Sequence, residues 1–180
     1  MGPNTRELFD RMTALAVELL GWLDDHTPTD IRRTFSVPLR EMIQGSRETL
    51  LRPIHYPPLT GTEEEGAIRA AAHEDINLIT LLPAATAPGL QVKDASGQWI
   101  NVSCDPGQIV INAGDMLQMA SQGYYRSTTH QVVNPRGPES RLPRYSMPLF
   151  LHPRSDVKLS HTLTAGTYLN ERLREIGLKK

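Results

Sequence analysis

Apolar positions recur along this chain with two different periods, and the change falls near residue 50. Over residues 4–24, Leu8, Met12, Leu15, Leu19 and Trp22 recur at helical spacing, which predicts one amphipathic helix. Asn4, with Glu7 three residues on, predicts its capped start. A short helix is predicted near 38–44, stopped by Gly45. From Leu50 onward the runs are short and β-like, at 50–56, 76–82, 90–93, 99–102, 108–111, 116–119, 128–133 and 144–151. Pro-Gly, Gly-Asp, Ser-Gly and Asn-Pro turn signals punctuate them. Helical spacing returns over 165–176, with Thr164 as cap, Tyr168, Leu169, Leu173 and Ile176 as the apolar stripe, and Gly177 as the stop.

Eight short strands at close spacing predict a mainly β fold with flanking helices: a double-stranded β-helix, or cupin-like jelly roll. The expected organisation is a single domain with a helical segment at 1–48, a jelly-roll catalytic core at 49–153, and a C-terminal helix within 154–180 packed on that core. A chain of 180 residues is long enough for one real core. Its net charge of −1 provides no basic field for nucleic acid or an anionic membrane. No apolar run reaches the length of a membrane span, and residues 1–12 lack the apolar stretch of a signal peptide. The one cysteine, Cys104, excludes an internal disulfide and any multi-cysteine metal site, so a cytoplasmic protein is expected. Glu63-Glu64-Glu65 reads as a solvated loop.

Chemistry enters through His73, Asp75 and His130. His73 and Asp75 stand two apart before the apolar run Ile76–Ile79, and on an extended strand both side chains would project from one face. His130 lies in the β-like run 128–133. Two imidazoles and one carboxylate, with the remaining positions open, form the ligand set of non-haem Fe(II) oxygenases. Arg144, two residues before Ser146, offers a planar fork for a carboxylate. Taken singly, His-x-Asp is as readily an ordinary turn pair and His130 a buried strand histidine; order and setting give the combination its weight. His55, His152 and His161 read as structural or exposed, with His55 a further candidate for the substrate pocket because it adjoins Tyr56. Cys104 reads as inert at a strand end.

From Leu50 to about Lys180 the chain resembles the isopenicillin N synthase-like branch of the Fe(II)/2-oxoglutarate-dependent dioxygenases. The matching stretches are His55-Tyr56-Pro57-Pro58, Ala72-His73-Glu74-Asp75, Pro88–Val92, Asn112-Ala113-Gly114-Asp115-Met116-Leu117-Gln118, Ser127–His130 and Arg144–Phe150. The resemblance implies that His73, Asp75 and His130 bind Fe(II), and that Arg144 and Ser146 hold the far carboxylate of 2-oxoglutarate. It also implies that Tyr56 contacts the cosubstrate or the substrate, although Ile54 stands where plant members often carry a polar Asn. The implied reaction consumes O2 and 2-oxoglutarate, releases succinate and CO2, and oxidises an unactivated C–H bond of a small or carrier-tethered molecule. Two other function classes stay open: an iron oxygenase of this fold that needs no keto acid, and a non-catalytic metal-binding jelly roll. Relative to the family, residues 4–24 stand where a long N-terminal region would precede, so a homodimer covering exposed apolar surface is a further expectation.

Overall fold

The computed structural model describes residues 2–179. Helix α1 (Pro3–His26) begins with Pro3 in its first turn and Gly2 as the cap, so Asn4 lies inside the helix rather than capping it. The stripe is also rotated from its expected setting. Met12, Ala16 and Leu20 are buried, Leu8, Leu15 and Leu19 flank them, and Trp22 is 58% exposed. Two short helices follow, α2 (Thr29–Arg32) and α3 (Leu39–Ile43). The buried carboxylate of Asp24 accepts from the backbone N–H of Leu39 at 3.0 Å, so α1 caps α3 and locks the pair together.

The strands are β1 (Leu50–Leu51), β2 (Ile54–Tyr56), β3 (Ala70–His73), β4 (Ile79–Pro83), β5 (Leu90–Lys93), β6 (Trp99–Asn101), β7 (Ile109–Ala113), β8 (His130–Val132), β9 (Arg144–Ser146) and β10 (Leu149–Leu151). One sheet has the order β1-β10-β4-β7, another β3-β8-β5-β6, and β2 pairs with β9. Leu50↔Phe150, Leu51↔Leu149, Ile54↔Ser146 and Tyr56↔Arg144 keep one register, so β1/β2 and β9/β10 are two long strands, each broken once. Pro53 and Pro148, which lack a backbone N–H, sit at those breaks. Counted this way, eight antiparallel strands make the double-stranded β-helix.

Two strand assignments differ from expectation. Residues 116–119 belong to helix α4 (Asp115–Ala120), whose Met116, Leu117 and Ala120 are buried on one side. Six residues are too few to display a helical period, and the preceding Gly-Asp resembles a turn. Conversely, β3 is an alanine run whose low β propensity gives no strand signal in the sequence. His73 closes β3 and Asp75 lies two residues beyond it, ahead of the bend that leads into β4, so the pair straddles the strand end, yet the two side chains converge as expected.

The core lies outside the β-helix, between its β1-β10-β4-β7 sheet and the helices. Leu51, Ile79, Leu81, Leu149 and Leu151 face Leu20, Leu39, Met42, Met116 and Leu117 in one buried cluster. Helix α5 (Ala165–Glu175) joins it through Ala165, Tyr168 and Leu169. Its start is capped as expected, the Thr164 hydroxyl accepting from the N–H of Thr167. No helix of the described residues is long and apolar enough to cross a membrane.

Candidate metal centre

His73 and His130 face each other across the β3–β8 ladder, their ring centroids 4.4 Å apart. Each ring is oriented by its own strand: His73 Nδ1 lies 2.7 Å from the carbonyl of Ala71, and His130 Nδ1 lies 2.8 Å from that of Thr128. Protonated Nδ1 donates to these carbonyls and leaves both Nε2 lone pairs free, the usual support for a metal-bound imidazole.

Asp75 follows His73 by two residues and is anchored by β4 and β7. It is buried, and its Oδ2 accepts from the Thr80 hydroxyl at 2.5 Å and from Asn112 Nδ2 at 2.9 Å. Thr80 and Asn112 are directly paired between β4 and β7, so one cross-strand pair anchors the carboxylate. Its Oδ1 then points at His130 Nε2, 3.8 Å away. That gap exceeds a hydrogen bond and falls inside the roughly 4.2 Å available across one ion bound at about 2.1 Å to each ligand. One donor atom from each of the three residues lies within 4.8 Å of the others. Two neutral imidazoles and a carboxylate, each oriented from behind, suit a divalent iron.

The backbone of the Asp75 bend is clamped by the segment after β7. The N–H of Asp115 donates to Asp75 O at 2.8 Å and that of Met116 to Asn77 O at 3.1 Å. A Cβ on Gly114 would lie 2.3 Å from Asn77 O and 2.8 Å from Asp75 O, so glycine is required there by close approach. Sequence reasoning quoted Asn112 and Gly114 only as part of a motif and missed Thr80. A polar Thr flanked by buried Ile79 and Leu81 was the available signal.

The same cavity continues to Arg144, Ser146 and Tyr56 at the β2–β9 end, with Leu82, Leu90 and Phe150 on its walls. Arg144 is 2% exposed. Its Nε donates to the carbonyl of Ala87 at 2.9 Å, and its buried Nη1 has no partner. Among the described residues no carboxylate pairs with it. Burial pushes the guanidinium below its ordinary pKa, while nearby Tyr56 works the other way. A buried cation without a counter-ion is unfavourable unless something anionic enters. His55 does not line this cavity. Strand alternation turns it to the outer surface, where it stacks on exposed Tyr145 at 4.8 Å.

Residues 47–153 match the 2OG-Fe(II) oxygenase superfamily. The chain belongs to that superfamily. It is 39% identical over 122 residues to a 2-oxoglutarate-Fe(II) type oxidoreductase of Aspergillus fumigatus, covering 67% of this chain and 34% of that protein. Over 86 residues it is 41% identical to a homoarginine-6-hydroxylase of Arabidopsis thaliana, covering 47% of this chain and 23% of the other. A candidate oxygenase from Shewanella oneidensis superposes with a TM-score of 0.89 at 56% identity, over 98% of this chain and 64% of that one. A Neurospora crassa protein, solved in complex with 2-oxoglutarate and thymine, superposes with a TM-score of 0.80 at 28% identity, over 96% of this chain and 56% of that one. The chain thus spans about a third of the length of the Aspergillus relative.

Proposed function

We propose that this chain is the catalytic core of an Fe(II)/2-oxoglutarate-dependent dioxygenase that hydroxylates an unactivated C–H bond. His73, Asp75 and His130 are its iron ligands, Arg144 and Ser146 its carboxylate clamp, and Tyr56 a wall of the cosubstrate site. The observation that carries this reading is Arg144: buried, unpaired with any carboxylate among the described residues, and opening into the same cavity as the triad. A metal site alone has no use for such a group. A dicarboxylic keto acid would use both groups, the triad holding the metal for one end and Arg144 receiving the other.

When bound, iron and O2 supply the oxidising chemistry, with 2-oxoglutarate released as succinate and CO2. The protein's part is positional. Thr80 and Asn112 keep the Asp75 carboxylate aimed, the carbonyls of Ala71 and Thr128 hold the imidazoles in one tautomer, and Leu82, Leu90 and Phe150 keep the interior apolar. The similar proteins carry names as different as homoarginine hydroxylase and a thymine complex, so the shared property is the chemistry and not one substrate. The substrate is therefore read as a small or carrier-linked organic molecule. With one cysteine and no internal disulfide to form, the chain suits the reducing cytoplasm, which fractionation of the tagged protein would check.

The deciding experiment is anaerobic loading with Fe(II), then 2-oxoglutarate, following the weak visible charge-transfer band of the chelate. A band in wild type that is lost in Arg144→Ala supports both assignments. Full iron occupancy without a band points to a keto-acid-independent oxygenase, and no iron binding to a non-catalytic scaffold. Assembly is a separate question. Ile109 and Ile111, 39% and 46% exposed on the outward face of edge strand β7, are the surface we assign to a homodimer contact. A monomer in sedimentation at micromolar concentration overturns that assignment.

A further inference from the structure

We propose that Arg69 is a positioning residue for the cosubstrate end of the cavity, holding the Tyr56 ring beside Arg144. The inference rests on the reading of Arg144 as the carboxylate clamp. Arg69 stands one residue before β3, in the sheet that carries the two histidines. Its Nη2 donates to the carbonyl of Leu142 at 3.1 Å and reaches that of Pro57 at 3.5 Å. Those carbonyls lie just before β9 and just after β2, so one side chain ties the histidine sheet to the ladder carrying Tyr56 and Arg144.

The guanidinium carbon of Arg69 lies 5.9 Å from the centre of the Tyr56 ring, and that of Arg144 lies 5.3 Å from it. Among the described residues, neither arginine is paired with a carboxylate. No hydrogen bond of the Tyr56 hydroxyl to another described residue anchors the ring, so its orientation depends on what packs against its faces. Arginine is suited to this, being planar, permanently charged and weakly hydrated. Burial lowers the pKa of Arg69, and the nearby Tyr56 opposes that shift. A long side chain fixed by two carbonyls and a ring has given up its rotamer freedom, and the result is a fixed Tyr56 wall beside Arg144.

The test is anaerobic titration of the Fe(II) protein with 2-oxoglutarate, read from the charge-transfer band, for Arg69→Met in the wild-type and Tyr56→Leu backgrounds. Loss of a partly exposed cation–π contact predicts about fivefold weaker 2-oxoglutarate binding in the wild-type background. In the Tyr56→Leu background the same change should alter affinity less than about twofold, because the ring it acts through is gone. Iron affinity should not move in either. Arg69→Lys, which keeps the aliphatic stem, should show the same ordering at smaller amplitude if Arg69→Met proves insoluble. In metal-free protein with ¹³C-labelled tyrosine, Arg69→Met should shift the Tyr56 ring signals. Wild-type affinity in the Arg69 variants, or equal losses in both backgrounds, overturns the inference alone. Absence of a band in wild type defeats the clamp reading itself, and the inference with it.

Discussion

On the sheet formed by β1, β10, β4 and β7, Ile79, Leu81, Leu149 and Leu151 face the helices, while Thr80, Leu82, Asn112 and Phe150 face the cavity. The backbones are the same; only alternation separates them. The outer set is between 0% and 2% exposed and wholly apolar, and each such side chain contributes about 1.5–3 kcal/mol by leaving water. The inner face places a threonine hydroxyl, an amide and a carboxylate in contact with one another, groups whose burial is unfavourable unless every partner is present. Stability is therefore concentrated on one face of the sheet and chemistry on the other. Substitutions on the two faces should have separable effects.

The largest separation is expected from Asp75→Ala. Iron affinity, measured by competition with a chromogenic chelator, should fall by more than the roughly 10–100-fold typical of a supporting residue. Unfolding free energy should fall by about 1–3 kcal/mol, from the Thr80 and Asn112 donors left without the carboxylate, so the effect on iron dominates. Leu81→Ala makes the reciprocal case. It should lower unfolding free energy by about 2–5 kcal/mol in urea titration and leave the iron affinity of the folded fraction unchanged. A large iron defect in Leu81→Ala would mean that the faces are coupled.

Thr80→Val should sharpen the comparison further, being nearly isosteric at the point where the two functions meet. It removes the 2.5 Å hydrogen bond to Asp75, and iron binding should weaken about tenfold in the same chelator competition while stability changes by about 1 kcal/mol. The smallest expected effect concerns His152, just beyond β10. Burial holds its imidazole below its ordinary pKa of 6.5. A folded-state pKa below the unfolded value means that the unfolded chain binds the proton more readily, so the contribution is present above about pH 6.5 and is lost as pH falls below it. His152→Gln should flatten the decline of the urea midpoint between about pH 7.5 and pH 5. An unchanged slope would assign that decline to other groups.

Much of the site was legible because its components are short motifs on elements with clear patterning. His73, Asp75, His130, Arg144 and Ser146 were singled out from spacing and order, and the structure gathers them around one cavity. Local inference failed where it relied on strand geometry alone. The His73–Asp75 pair converges as expected but not on one strand: it straddles the end of β3, and the carboxylate is aimed by residues from β4 and β7. His55 adjoins Tyr56 in sequence and points the other way. Trp22 completes an apolar stripe on paper, yet the helix buries Met12, Ala16 and Leu20 and leaves the indole in solvent.

By itself, the order of residues determined the class of fold, the helix ends at Gly45, Thr164 and Gly177, and the donor types present, since these depend on periodicity, backbone permissiveness and side-chain chemistry. Only the tertiary structure decided which face of each strand holds chemistry and which polar residues aim Asp75. It alone brought Arg69, distant in sequence from both Tyr56 and Arg144, against the same ring. Those choices rest on cross-strand register and sheet closure, which pair residues dozens of positions apart and leave no trace in any local window.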